Sequence, residues 1–194
     1  MKRLNILIDI DGTVTEPFYW LKQANRHFSM NLDPRVIRRY EIHEALGVTA
    51  EEGKAFYDMY GESIHQEAKE RRGASQAVAR LSMDHNIHFV TAREPKMRQV
   101  SEYWLKMHGF PMDTLTLLGS HDKVMSAHGL ECDIFIEDRY ENALQLAQEG
   151  FKVILINCSY NQGPLPDKVM RVNTWTEITD VINDFSGQAL SLAQ

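Results

Sequence analysis

The stretch LNILIDIDGT, residues 4–13, decides how the rest of the chain is read. Its opening run is apolar but for Asn5, and short, nearly unbroken runs of this kind suit strands buried on both faces of a parallel sheet. Asp9 and Asp11 end or follow the run. Being two residues apart, they lie on the same side of an extended chain. Gly12 then permits a sharp turn. Further runs with β-branched content recur at 87–90, 114–118, 134–136 and 153–156. Helical stretches separate them. Residues 74–83 place Ala77, Val78 and Leu81 on one face, and 95–108 open with Pro95 and stop at Gly109. Stretches 122–128 and 140–149 end at Gly129 and Gly150, and 175–185 form a last amphipathic helix. Strand and helix in alternation predict an α/β fold, a Rossmann-like doubly wound parallel sheet.

The alternation breaks once. Residues 14–72 hold no convincing strand, whereas a crossover between parallel strands needs only one helix. Helices are expected over 18–30, over 33–46 (Asp33 as N-cap, Pro34 in the first turn) and over 49–72. Thr49 with Glu52 forms a capping-box pattern, and Gly61 is expected to interrupt the third helix. The block reads as a small helical cap inserted after the first strand, with 1–13 and 73–194 as the α/β core and 14–72 as the cap.

A chain of 194 residues has room for one well-buried core and a modest insertion. With 43% hydrophobic and 25% charged residues, wholesale disorder is excluded. The net charge of −6 argues against a nucleic-acid polymer or an anionic membrane as partner. No apolar stretch approaches the roughly 20 residues of a membrane span. The N-terminal MKRLNILIDIDG carries Asn5 and Asp9 inside its apolar run and no small-residue cleavage site, so it reads as a strand rather than a signal peptide. Cys132 and Cys158 show no metal-binding spacing, and reduced thiols in the cytoplasm are expected.

The polar residues share one topological address. Asp9 and Asp11 follow strand one, Thr91 ends strand two, Lys123 opens the helix after strand three, and Glu137 and Asp138 close strand four. In an open parallel sheet these carboxyl ends line one crevice. Up to four carboxylates brought together there call for a cation, and an all-oxygen donor set favours Mg²⁺. With an ordinary pKa of about 3.9, Asp9 is expected to be ionised and able to attack phosphorus, forming an aspartyl-phosphate. Asp11 is placed to protonate the leaving oxygen and then deprotonate water. The Thr91 hydroxyl and the Lys123 ammonium would contact the phosphoryl group. Arg93 and Arg139 adjoin the crevice, as suited to a surface ion pair as to phosphate. Phe18, Tyr19 and Trp20 open the cap, suited either to stacking on a nucleobase or to packing the first cap helix.

DIDGT at 9–13, FVTAR at 89–93, HDKV at 121–124 and FIEDR at 135–139 resemble, in order, the four motifs of the haloacid dehalogenase-like superfamily. The resemblance covers essentially the whole chain. It implies Asp9 as nucleophile and metal ligand, and Asp11 as acid/base and backbone-carbonyl ligand. Thr91 and Lys123 would hold the phosphoryl group, and Asp138 would complete the Mg²⁺ shell. Aspartate at position 11 favours phosphatase chemistry. More narrowly, VTAREPKMRQVSEYWLKMHGF (90–110), IEDRYENA (136–143) and VILINCSYNQ (153–162) resemble the 5′(3′)-deoxyribonucleotidases and their bacterial relatives. That implies a nucleoside monophosphate substrate, with Thr91, Ala92, Arg93, Lys123 and Phe18 at substrate-binding positions and Tyr160 and Asn161 in a nearby loop. Two positions depart from that group. Glu137 stands where aspartate is usual, which with Arg139 is placed behind the metal ligands, and Ala92 stands where some relatives carry a hydroxyl. A phosphatase or phosphotransferase for another small metabolite, and a catalytically silent metabolite-binding protein, are the alternatives.

Overall fold

The computed structural model describes residues 2–191. Six strands, β1 (Asn5–Ile8), β2 (Asn86–Thr91), β3 (Thr114–Leu117), β4 (Ile134–Glu137), β5 (Lys152–Ile156) and β6 (Val169–Val172), form one sheet ordered β3-β2-β1-β4-β5-β6. Every neighbouring pair is parallel. The helices are α1 (Leu21–His27), α2 (Ile42–Leu46), α3 (Ala50–Gln66), α4 (Ala74–Leu81), α5 (Arg98–Met107), α6 (Val124–Gly129), α7 (Tyr140–Gln148) and α8 (Trp175–Ser191). This is the expected doubly wound α/β fold, and its strand order reverses at β1, where a crevice opens at the strands' carboxyl ends.

The two-residue period of the strands sorts the core into two layers. Ile6, Ile8, Phe89, Ile136 and Ile154 pack with Val78 of α4, Trp104 of α5 and Ile178 of α8. Leu7, Val90, Phe135 and Leu155 face the other way, onto Ala127 of α6 and Ala143 and Leu146 of α7. β6 was not expected from the sequence. It is an edge strand, paired only with β5, and its exposed Met170 and half-buried Arg171 interrupt any apolar run.

Helices α1 to α3 lie between β1 and α4 and have an apolar cluster of their own, built on Trp20, Leu21, Ile37, Phe56 and Ile64. The chain enters and leaves this insertion through neighbouring extended segments. Thr15 bridges Glu70 antiparallel, Glu16 N–H donates to the Lys69 carbonyl at 2.8 Å, and Arg71 N–H donates to the Val14 carbonyl at 2.8 Å. The Thr49–Glu52 capping box forms as expected.

Three expectations within the insertion need correction. The helix expected over 33–46 is broken: Asp33 caps only a 3₁₀ turn, Pro34–Val36, and α2 begins at Ile42. Between them Ile37 is extended and buried in the insertion's own cluster, and Tyr40 is drawn under Arg139, so tertiary contacts override the helical pattern. Helix α3 stops at Gln66 rather than running to 72, because 69–71 pair with 14–16. Gly61 does not interrupt α3. A Cβ there would lie 3.0 Å from Met97 Cε and 3.3 Å from the Tyr57 ring, so glycine lets the helix settle against Met97.

Among the described residues both cysteines are free, and no helix is long and apolar enough to cross a membrane. Phe56 is fully buried in the insertion's cluster. Phe56→Ala is therefore expected to cost about 3–5 kcal/mol, read from urea unfolding; a loss under about 1 kcal/mol would show that this cluster does not hold the insertion together.

Candidate active site

Asp9 follows β1 directly, its N–H donating to the Ile136 carbonyl at 3.0 Å, which fixes it beside the end of β4. Lys123, the residue before α6, is 2% exposed and donates from Nζ to Asp9 Oδ1 and, at 2.9 Å, to Glu137 Oε1. Glu137 Oε1 also accepts from Asn142 Nδ2 at 2.5 Å, and its Oε2 accepts from the backbone N–H groups of Asp138 and Arg139 at 2.8 and 3.2 Å. Asp138 Oδ2 accepts from the Tyr160 hydroxyl. Asn161 holds the loop after β5 against this point, donating to the Asp138 carbonyl at 2.7 Å and the Ile156 carbonyl at 2.8 Å. Gly12 adopts φ +79°, and a Cβ there would collide with Asp138 Oδ2 and lie 2.6 Å from Tyr160 Oη. The turn after Asp11 thus requires glycine for both conformation and space.

Asp11 turns toward the insertion. Arg93 Nε and Nη2 fork onto its carboxylate at 2.9 and 2.5 Å, Nη1 donates to Ser101 Oγ at 2.9 Å, and the Tyr19 hydroxyl donates to Asp11 Oδ1 at 2.7 Å. Burial would raise the Asp11 carboxyl, but Arg93, aided by the Tyr19 hydroxyl, outweighs it and holds the group well below the usual carboxylate range. Asp9 behaves differently. Burial pushes it up to about 7, with Lys123 opposing and Glu137 and Asp11 adding to the rise. Asp138 is raised well above its usual range by burial, Glu137 and Asp9. Glu137 is lowered, since Lys123 and Asn142 outweigh its burial.

Asp9, Glu137 and Asp138 each offer an oxygen within 4.8 Å of the others. Among the described residues, buried Asp138 Oδ1 has no hydrogen-bond partner. An unpartnered buried carboxylate oxygen facing raised, crowded acids fits a hard divalent cation of the Mg²⁺ kind. Glu137 fits that role less well, because all of its acceptor sites are already used.

A cavity of about 380 Å³ opens above this cluster, reached by Asp11 and Asp138 and walled by Phe18, Tyr40, Tyr57 and Tyr160. Tyr160 meets Phe18 and Tyr40 edge-on, with ring centroids 5.6 and 5.5 Å apart. Arg139 stacks 4.6 Å over the Tyr40 ring and pairs with Glu41 at 3.1 Å.

The family model described as 5′ nucleotidase, deoxy (pyrimidine), cytosolic type C protein matches residues 2–189. The chain belongs to this nucleotidase family. It is 40% identical over 183 residues to a nucleotidase of Clostridium acetobutylicum, covering 94% of this chain and 95% of that one. In fold it is similar to a haloacid dehalogenase-like family hydrolase of Streptococcus pneumoniae, with a TM-score of 0.70 at 16% identity, covering 93% and 98% of the two chains. It is also similar to YfnB of Bacillus subtilis, whose structure was solved bound to magnesium, with a TM-score of 0.61 at 14% identity over 94% of this chain and 100% of that one. The protein is a phosphomonoester hydrolase with a haloacid dehalogenase-like fold.

In this nucleotidase the residues singled out from sequence converge on one crevice, with different partners. Asp9, Thr91, Lys123 and Asp138 are buried together, and Ala92, Phe18 and Asp11 line the cavity. Arg93, expected at substrate, is committed to Asp11 and Ser101; Arg139 is committed to the insertion. Sequence reading missed Asn142, Tyr57 and His65. Asn142 lies in IEDRYENA, in the first turn of α7 and five residues past Glu137 at the end of β4. Tyr57 and His65 lie in no such motif.

Two outcomes are expected. Gly12→Ala adds strain at φ +79° and a collision with Asp138, costing about 1–3 kcal/mol as a lowered Tm; an unchanged Tm would rule out this packing. The second concerns pH. Burial and Arg93 lower His65 from its ordinary 6.5 to about 3, Asp11 opposing. Between those values the unfolded chain binds a proton that the native protein does not, so this group's contribution falls on acidification. The stability difference between the parent and His65→Asn should narrow from about pH 7.5 to about pH 5 in urea unfolding. A difference that widens would mean His65 is charged in the fold.

Proposed function

We propose that this protein hydrolyses deoxynucleoside and nucleoside 5′-monophosphates through a phosphorylated Asp9, with Asp11 as acid/base and Mg²⁺ as cofactor, in the cytoplasm. The observation that carries the reading is the buried Asp9–Lys123 pair, with Asp11 two residues on and Asp138 alongside, beneath a cavity walled by aromatic rings. The family description, with its 5′-nucleotidase, pyrimidine and cytosolic terms, and the nucleotidase from C. acetobutylicum point the same way.

In this mechanism Asp11, ionised in the free enzyme, takes up a proton as the phosphate monoanion binds. An Asp9 carboxylate oxygen attacks phosphorus, the bond from phosphorus to the sugar oxygen breaks, and Asp11 gives that oxygen its proton. Water then attacks the phosphorus, Asp11 takes a proton from it, and inorganic phosphate leaves Asp9 free. Thr91 Oγ1 accepts from Arg93 N–H at 3.3 Å, which leaves its own proton to donate to a phosphoryl oxygen. Lys123 places its charge beside both nucleophile and phosphoryl group, and Glu137 holds it there. Mg²⁺, when bound, would offset the charge of the carboxylates and the phosphoryl group; Asp9, Asp138 and the Asp11 backbone carbonyl would hold it. Phe18, Tyr40 and Tyr160 suit a planar base. Residues 14–72 act as a cap. With the insertion seated, Asp9 is 4% exposed, so substrate enters when the cap lifts and is enclosed when it returns.

The test is phosphate release from deoxyribonucleotides, ribonucleotides, sugar phosphates and p-nitrophenyl phosphate, in Mg²⁺ and in EDTA. Nucleoside monophosphates should be preferred, EDTA should abolish turnover and added Mg²⁺ restore it. Asp9→Asn should lower kcat by on the order of 10⁴ or more. Full activity in that variant would reject the aspartyl-phosphate, and a preference for sugar phosphates would reject the nucleotide assignment.

A further inference from the structure

Asp11 is held from two sides. On the sheet side Arg93 forks onto it, fixed in turn by Ser101, whose hydroxyl donates to the Met97 carbonyl at 2.8 Å. On the insertion side stands a chain of three groups the reaction above does not use. Tyr19 Oη lies 2.7 Å from Asp11 Oδ1 and 3.0 Å from His65 Nδ1, and His65 Nε2 lies 2.8 Å from Tyr57 Oη. The inventory of protons admits one direction for this chain. A carboxylate gripped by an arginine fork is an acceptor only, so Tyr19 donates to it. The Tyr19 oxygen then accepts from His65 Nδ1–H. A neutral imidazole with its proton on Nδ1 presents a lone pair at Nε2, and Tyr57 donates there. His65 is buried and, next to Arg93, neutral.

All three residues belong to the insertion. Tyr19 precedes α1, and Tyr57 and His65 stand eight residues apart on one face of α3. Tyr57 also packs on Met97, Val100 and Leu117 of the core, at the place where Gly61 leaves room. The relay therefore spans from the α3–core contact to the acid/base carboxylate.

We propose that Tyr57, His65 and Tyr19 form a directed hydrogen-bond relay by which the seated insertion positions the Asp11 carboxylate for proton transfer. The three are positioning residues, and the proposal rests on Asp11 being the acid/base. Arg93 alone holds Asp11 whatever the insertion does. The relay adds a second anchor that exists only when the insertion is down, so proton transfer is tied to enclosure of the substrate.

The experiment compares kcat/KM, which reports only the steps up to phosphorylation of Asp9, for a nucleoside monophosphate and for p-nitrophenyl phosphate. The first leaving group needs a proton and the second departs without one. Tyr19→Phe and His65→Leu should each lower the ratio of nucleotide to p-nitrophenyl phosphate kcat/KM about tenfold or more, a part of the usual 10²–10⁴ contribution of a positioned acid. His65→Asn keeps a donor where Nδ1 stood and should recover most of that ratio. Nitrogen-15 NMR of the parent should show His65 as the Nδ1–H tautomer. Parallel losses on both esters, an asparagine variant no better than leucine, or an Nε2–H tautomer would each overturn the relay while leaving the hydrolase reading intact. A parent that releases phosphate from neither ester removes the acid/base assignment and the relay with it.

Discussion

Lys123 Nζ sits between Asp9 and Glu137 where water does not reach, and the geometry of the crevice depends on that contact. Burying an unpaired carboxylate costs several kcal/mol, and three buried acids lie here within one pocket. The ammonium is itself fixed indirectly. Glu137, which receives it, is held by Asn142 and by two backbone N–H groups at the start of α7, where the helix dipole favours negative charge. The start of α7 thus sets Glu137, Glu137 sets Lys123, and Lys123 sets Asp9. Each of these residues ends or follows a strand of the same parallel sheet, so the register of β1 with β4 determines whether the chain of contacts closes.

The core was legible because strands buried on both faces write themselves as short apolar runs, as β1, β2, β4 and β5 do, while the edge strand β3 showed through Leu115 and Leu117. β6 did not, since its only apolar buried residues are Val169 and Val172, with exposed Met170 and half-buried Arg171 between them. The insertion was legible as a helical block and less so in its parts. Thr49 and Glu52 announce a helix start through chemistry confined to four residues, and that start is where it was expected. The breaks at 37–41 and after Gln66 come from contacts with distant segments, Arg139 above Tyr40 and 14–16 beside 69–71, which no local pattern encodes. Gly61 shows the limit plainly. Its helix penalty of about 1 kcal/mol predicts an interruption, but close packing against Met97 makes the same residue part of a continuous helix.

The same division runs through the site. Asp9, Thr91, Lys123 and Asp138 could be read as one group because topology carries strand ends to one place. What each residue does to its neighbour could not. Arg93 was visible beside the crevice, yet its fork onto Asp11 depends on Ser101 and Tyr19 arriving from two different elements. Asp9 has the composition of an ordinary acid, and only its burial beside Glu137 lifts it to about 7. His65 had no sequence signal at all: a histidine late in an amphipathic helix is read as core or surface until the turn before α1 brings Tyr19 against it.

The adjacent acids Glu137 and Asp138 show how one position's departure from the related nucleotidases is accommodated. A carboxylate has about four acceptor sites. Glu137 spends all of them on Lys123, Asn142 and the two backbone N–H groups. Asp138 spends one oxygen on Tyr160 and leaves the other buried and unpartnered. A saturated carboxylate would have to give up hydrogen bonds to take a cation, whereas the free Asp138 oxygen gives up none. The longer side chain therefore goes to the residue whose task is reach, from the end of β4 to the ammonium beside Asp9. The shorter one stays at the crevice, where a free oxygen close to Asp9 is what a cation needs. Glutamate at 137 is thus compatible with the proposed chemistry, because that position orients the lysine and position 138 keeps an oxygen free for a cation.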